Sequence, residues 1–404
     1  MKKRLLVTLC SLLLSATWLS ADTGSATSSL ASLGFEDVRV VECDATVYAS
    51  VEPTAYRGTF RGAGVAVETL GRLFPDATAV ELAVTEYRQP QVAVHAKRAG
   101  EGWTVSVDHA TSAVLSALSD TPAANRSAIR VDLTVYPMVS IDNHRFDVLC
   151  EYIVSLAPAI EMTLWRGSLL TLQPVFPVLT NVWQEQPDGF IHIGVAALRQ
   201  QFCLTDRLKA TLSGGFFLGG QLGGDLLLDY RAGKALTLGL QASLLGDAYA
   251  EDGGYHIDSP DRLSVLGRVG YYHAPTQIEA GLTGGRFLYG DYGVRLDLTR
   301  HLGDYAVGVF GILTGGEHNA GFHFAIPLGG RRQMRRGPFR LRLPEYFDWE
   351  YNMVSYYEYA EQRMGRQLET RPDVNHSAHY WQPAYVEQYL RAYLNKSYND
   401  NGLR

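Results

Sequence analysis

The sequence predicts a mainly β protein built around an outer-membrane antiparallel β-barrel of about ten strands, with twelve as the alternative. An N-terminal α+β module precedes the barrel and a helical tail follows it. Three observations predict this class. The chain opens with a short basic and apolar leader. Between residues 161 and 328, apolar and polar residues alternate in runs of about ten residues, separated by glycine-rich or charged turns. Nowhere after the leader does an apolar run reach the ~18 residues that a membrane helix needs.

Lys2, Lys3 and Arg4 precede the apolar run Leu5 to Leu14, and Leu19-Ser20-Ala21 offers small residues for cleavage before Asp22. Residues 1–21 therefore read as a secretory signal peptide, with Cys10 inside its apolar run. The formal net charge is −6 and no basic block stands out, which disfavours nucleic acid as a partner. An exported chain permits disulfides. Cys43 and Cys150 lie in strand-like runs, so a Cys43–Cys150 bridge and a set of free thiols with Cys203 both stay open. No Cys/His spacing suggests a metal, and no cofactor motif is present.

Residues 22–34 are small and polar and read as a flexible lead-in. Residues 35–160 read as a periplasmic α+β module. In it "VRVVECDATVYASV" is a strand, and "GAGVAVETLGRLFP" has helical spacing ending at Pro75. "AVELAVTEY", "QVAVHA", "IRVDLTVYPMV" and "FDVLCEYIVSLA" are further strands. Residues 161–328 form the barrel, with strands beginning near 162, 189, 204, 222, 234, 262, 276, 292, 305 and 319. Short turns alternate with longer ones, which places both barrel ends in the periplasm. Residues 329–404 form a periplasmic basic and aromatic segment followed by two helices, "NMVSYYEYAEQRMGRQ" and "PAYVEQYLRAYLNKSY".

Within the barrel region the two faces separate residue by residue. Leu236, Leu238, Leu240, Ala242 and Leu244 face one way; Thr237, Gly239, Gln241 and Ser243 face the other. Val294, Leu296 and Leu298 likewise oppose Arg295, Asp297 and Thr299. Such an apolar set faces lipid and the polar set faces a crowded lumen. A soluble sandwich shares the alternation but uses shorter strands. Tyr271, Tyr272, Tyr289, Tyr292 and Tyr305 fall near strand ends, as in an interfacial girdle.

The inward charges Arg268, Glu279, Arg295 and Asp297 form a candidate lumen network that would plug a ten-strand barrel against a hydrated polysaccharide. The loop Gly285–Gly293 carries Arg286, Tyr289, Asp291 and Tyr292, a candidate sugar-contact set; a tight turn explains its glycines equally well. Barrel hydrolases pair a His with a Ser near the outer rim. Here His192, His301, His318 and His323 form no such pair in sequence, so no catalytic residue is assigned.

"GLTGGRFLYGDYGVRLDLTRHLGDYAVGVFGILTGGEHNAGFHFAIPL" resembles the closing part of the YjbH-type exopolysaccharide family of outer-membrane proteins. The resemblance is carried by Gly285, Arg286, Phe287, Leu288, Gly290, Asp291 and Gly293, by the strand from Arg300 through Phe310, and by Ile326-Pro327-Leu328. "PEYFDWEY" resembles the family's end, and the module around residues 56–95 resembles its periplasmic modules more weakly. The chain is shorter than typical members. The resemblance implies a non-enzymatic outer-membrane protein that assists secretion or assembly of an exopolysaccharide, with outer-membrane lipid, the polysaccharide and export proteins as partners. A small porin or structural barrel is the alternative, and a barrel lipid hydrolase a more distant one.

Overall fold

The computed structural model describes residues 20–100, 102–142, 150–181, 189–251, 254–353, 359, 362–373 and 378–401. Residues 1–19 of the expected signal peptide lie outside the described residues. The chain divides into two compact units: residues 1–127 with 386–404, and residues 128–385.

The first unit contains α1 (Ser20–Ser32), β1 (Glu36–Cys43), β2 (Thr46–Glu52), α2 (Thr59–Leu73), β3 (Ala79–Glu86), β4 (Gln89–Ala99), β5 (Gly102–Asp108) and α3 (Thr111–Ala117). Its sheet runs in the order β1-β2-β3-β4-β5. Only β2 and β3 pair in parallel, so α2 is the crossover between them. The run read as one strand is a hairpin: Asp44 and Ala45 both have positive φ (48° and 58°), the requirement of a tight two-residue turn. The expected flexible lead-in is also different. It is helical as α1, because Ala26 and Leu30, four residues apart, are both fully buried on one face.

Residues of the last helix, α4 (Pro383–Asn401), complete this unit from Val386 onward. The missing side chain of Gly64 lets α2 approach Tyr393, since a Cβ there would stand 2.4 Å from that ring. Glu387 Oε2 accepts from the Val107 amide at 3.0 Å, and Arg391 donates to the Val105 carbonyl at 3.1 and 3.2 Å. Together they cap the open edge of β5, an edge that would otherwise invite strand pairing.

Two titratable groups set this unit's pH response. His95 is raised to about 9, first by its hydrogen bond to Glu81 and further by Asp108 at 3.2 Å. Glu52 is raised to about 7, chiefly by burial and also by neighbouring Glu36 and Asp37. A raised histidine stabilises fully below its unfolded value near 6.5 and loses that contribution as pH rises through 9. A raised carboxyl makes stability fall as pH rises from 4.5 through 7. Denaturant titrations should therefore show this unit losing stability from about pH 5 to 9. Glu52→Gln should flatten the lower half of that slope and His95→Gln the upper half.

The second unit is one large sheet. Its strands are β6 (Val131–Asp142), β7 (Glu151–Met162), β8 (Ser168–Thr180), β9 (His192–Cys203), β10 (Leu208–Phe217), β11 (Gln221–Arg231), β12 (Leu236–Glu251) and β13 (Gly254–Ile257). They continue as β14 (Arg262–His273), β15 (Ile278–Arg286), β16 (Tyr292–Leu302), β17 (Tyr305–Thr314), β18 (Glu317–Pro327), β19 (Phe339–Arg342) and β20 (Tyr346–Met353). Of the 15 strands among the described residues, β13 pairs with β12 off the main order and β19 pairs in parallel with β6. That leaves thirteen strands in antiparallel succession from β6 to β20.

The sheet thus outruns the expected 161–328 at both ends. β6 and β7 were expected in the N-terminal module, and β19 and β20 in the tail. The unit boundary falls at 127/128 rather than at 160. The expected closed barrel is not continuous in backbone hydrogen bonds: among the described residues no ladder joins β20 to β6. The two strands do meet through a side chain, since Trp349 Nε1 donates to the Val139 carbonyl at 3.0 Å.

Across this sheet the ordinary rule of burial is inverted. On β12, Leu238 and Leu240 are 39% and 46% exposed, while Gln241 and Ser243 are 5% and 2% exposed. Leu212, Leu226, Val265, Leu282, Leu296, Val309 and Phe322 repeat the exposed apolar position on the other strands. Lys209, Thr211, Asp225, Ser264, Thr283 and Asn319 repeat the buried polar one.

Candidate functional site

The buried polar face of the large sheet is the candidate site. Period-two alternation brings these side chains to one surface, where several of them hydrogen-bond one another. Asp225 accepts from Gln241 Nε2 at 2.9 Å and from Ser243 Oγ at 2.7 Å. Arg268 donates to Gln241 and reaches Gln367 at 3.4 Å. Arg262 makes two bonds to Asp247, at 2.8 and 3.1 Å, and also donates to Gln221.

The four charges singled out from the sequence take different hydrogen-bond partners. Arg295 holds Asp297, with Nη2 at 2.7 Å, and is gripped on its other side by Glu350 at 2.6 and 3.1 Å. Its guanidinium also lies 3.9 Å from the centroid of the Phe310 ring. Glu279 instead bonds His301 at 3.0 Å, and Arg268 belongs with Gln241. Glu350 was missed because "PEYFDWEY" was read as tail. The signal was present: Phe347, Trp349 and Tyr351 alternate with Asp348, Glu350 and Asn352, the same period two as the other strands.

A double-mutant cycle on Arg295→Ala and Glu350→Ala should give a coupling of about 1–3 kcal/mol in chemical unfolding. The same cycle on Arg268 and Glu279, which bond to different partners, should give a coupling near zero.

A chain segment lies on this face. Tyr359 and Met364 pack with Leu266, Phe287 and Ile312; Leu368 packs with Val195, Phe217, Leu245 and Leu288. Asp291 Oδ2 accepts from the Gly365 amide at 2.8 Å, and the Leu288 amide donates to the Arg366 carbonyl at 3.0 Å. Further along, Tyr380 donates to Glu345 at 2.7 Å, Gln382 donates to the Ala235 carbonyl at 3.3 Å, and Ala384 to Lys234. The first contacts lie by the β15–β16 turn and the last by the β11–β12 turn, at opposite ends of the strands. The segment therefore runs the length of the polar face. Of the expected first tail helix, β20 takes residues up to Met353, Tyr359 is helical and residues 362–365 form a turn, while 354–358, 360 and 361 lie outside the described residues.

This segment also accounts for the candidate sugar-contact loop. Tyr289 OH accepts from Arg363 at 2.9 Å and from Gln221 at 3.1 Å, with Arg262 stacked 4.6 Å from its ring centroid. Asp291 is engaged by Gly365 and Thr314. Tyr292 is exposed, and the Arg286 guanidinium lies beside Gly290. Gly285 and Gly290 have positive φ, whereas Gly293 is needed for space, because a Cβ there would stand 2.2 Å from the Leu313 carbonyl.

His301 is buried between Tyr272 and Tyr385, and His323 Nε2 lies 3.1 Å from Thr299 Oγ1. His192 bonds the Phe190 carbonyl. The suggested Cys43–Cys150 bridge is not formed. Among the described residues Cys43, Cys150 and Cys203 form no disulfide, and Cys43 and Cys150 belong to different units.

The chain matches no protein-family model, no curated protein and no solved structure.

Proposed function

We propose that the large sheet is the wall of an outer-membrane β-barrel whose lumen is occupied by the chain's own residues 359, 362–373 and 378–382. One observation carries this reading: the large apolar residues of strand after strand face outward and exposed, while polar residues on the other face are buried. Water disfavours that arrangement and a bilayer favours it. The seam supports closure. With thirteen antiparallel strands the first and last run the same way, so a closing contact must be parallel. The β19–β6 pairing is parallel, and Trp349 bonds β6 farther along.

In function the chain is a non-enzymatic accessory to exopolysaccharide secretion or assembly. This follows from the likeness of its closing strands to the YjbH-type family. The Gly285–Gly293 motif that carries the likeness is also where the internal segment is gripped. A filled lumen supports an accessory over a porin or conduit, with the first unit and the segments that border the membrane doing the work.

The test is export from producing cells. Cysteines at Leu288 and Leu368, which share one buried cluster, are oxidised to tether the internal segment to the wall. Polysaccharide output should continue with the tether and cease when residues 354–404 are deleted. The reverse pair of results would make the lumen the conduit.

A further inference from the structure

The segment after β18 sorts its arginines into two sets. Arg335, Arg340 and Arg342 turn toward Asp132 and Glu161, with Arg335 2.6 Å from Asp132 and Arg342 3.5 Å from Glu161. Arg331, Arg332 and Arg336 are exposed, and Arg331 comes only within 3.9 Å of Asp304. Beside them Phe339 and Leu341 are 70% and 73% exposed, in register with Val131 and Leu133 of β6. The apolar outer face thus ends in a cationic rim. The β7–β8 turn, at the same end of the sheet, repeats the pairing with exposed Trp165 and Arg166.

From this juxtaposition of exposed arginines and exposed apolar side chains, and resting on the bilayer reading above, we propose that the rim formed by Arg331, Arg332, Arg336, Phe339 and Leu341 binds anionic phospholipid. The guanidinium groups take the phosphodiester and glycerol oxygens of the headgroup, while Phe339 and Leu341 lie against the first acyl carbons. Arginine suits this task because its fork matches phosphate oxygens, and a side chain at the headgroup level keeps its charge hydrated. Adjacent inner arginines cannot serve, since Asp132 and Glu161 already hold them. The rim also fixes orientation, with this end of the sheet at the phospholipid leaflet facing the periplasm.

The full chain is reconstituted into vesicles of phosphatidylcholine and phosphatidylglycerol and extracted with its retained lipid. The ratio of the two lipids is then compared with that of the vesicle. Phosphatidylglycerol should be enriched, and the enrichment should fall about fivefold for each of Arg331→Gln, Arg332→Gln and Arg336→Gln. It should also weaken with added salt. These side chains are exposed, so the heat-modifiable folded band should persist in the triple variant. Unchanged enrichment in that variant overturns the proposal. Displacement of the lipid by inorganic phosphate at equal concentration also overturns it, assigning the arginines to a free anion. A wild-type chain that never enters the vesicles fails the bilayer reading itself. That outcome differs visibly from an inserted chain with no lipid preference.

Discussion

A chain lacking residues 354–404 is expected to open ion-conducting steps in a planar bilayer, where the full chain gives none. The internal segment supplies the atoms that fill the polar face: Met364 and Leu368 sit in buried clusters, and Gly365, Arg366 and Gln367 bond the wall. A closed wall of thirteen strands would enclose more space than its own side chains occupy, since about eight strands already suffice for a side-chain-filled interior. Without the segment, water takes its place beside Asp225, Arg268 and Arg295. Those groups tolerate water, so the wall should stay folded and heat-modifiable. A shortened chain that folds but remains silent would mean that the wall collapses or that a second part of the chain closes it. Either would remove the internal segment as the seal.

Much of this wall was legible in the sequence, and the reason is geometric. Of β8 to β18, all but the short β13, which falls in a stretch read as a loop, are marked in the sequence because alternate Leu, Val and Ile stand against Gly, Thr, Ser and charge, a pattern local enough to be seen in ten residues. β6 and β7 carry the same period. A soluble strand carries it too, however, so period alone could not assign them to one sheet or the other. A finer cue was available in the second half of β7: its outward Leu156 and Ile160 are large and its inward Ser155, Ala157 and Ala159 small. The internal segment had no local signal. Its defining contacts, Asp291 with Gly365 and Tyr289 with Arg363, join residues 74 apart, and no periodicity marks a chain that fits irregularly against a wall. The four charges share the period-two face of the buried polar residues, but the hold on Arg295 depends on Glu350, on a strand not recognised as one.

Leu240→Arg is the substitution with the largest expected energetic effect. Leu240 lies opposite Leu228 on β11 and Gly267 on β14, on the outward face. If that face meets hydrocarbon, an arginine there costs about 2–4 kcal/mol near the midplane. On a soluble sheet the same change at a half-exposed site would fall within about 0.5 kcal/mol of neutral. The inward neighbour gives the opposite contrast. Gln241→Leu leaves Asp225 and Arg268 each short of a partner, and that loss should cost about 1–3 kcal/mol. Polar is therefore unfavourable at 240 and apolar is unfavourable at 241, the reverse of a water-soluble sheet.

The most direct test of the bilayer wall is the collision accessibility of single nitroxide labels in vesicles. Labels at Leu238, Leu240 and Leu296 should collide readily with oxygen dissolved in lipid and hardly at all with a water-soluble nickel chelate. A label at exposed Tyr292, near the strand end, should show less of that contrast. Nickel accessibility equal to or above oxygen accessibility at 238, 240 and 296 would place the apolar face in water and contradict the barrel.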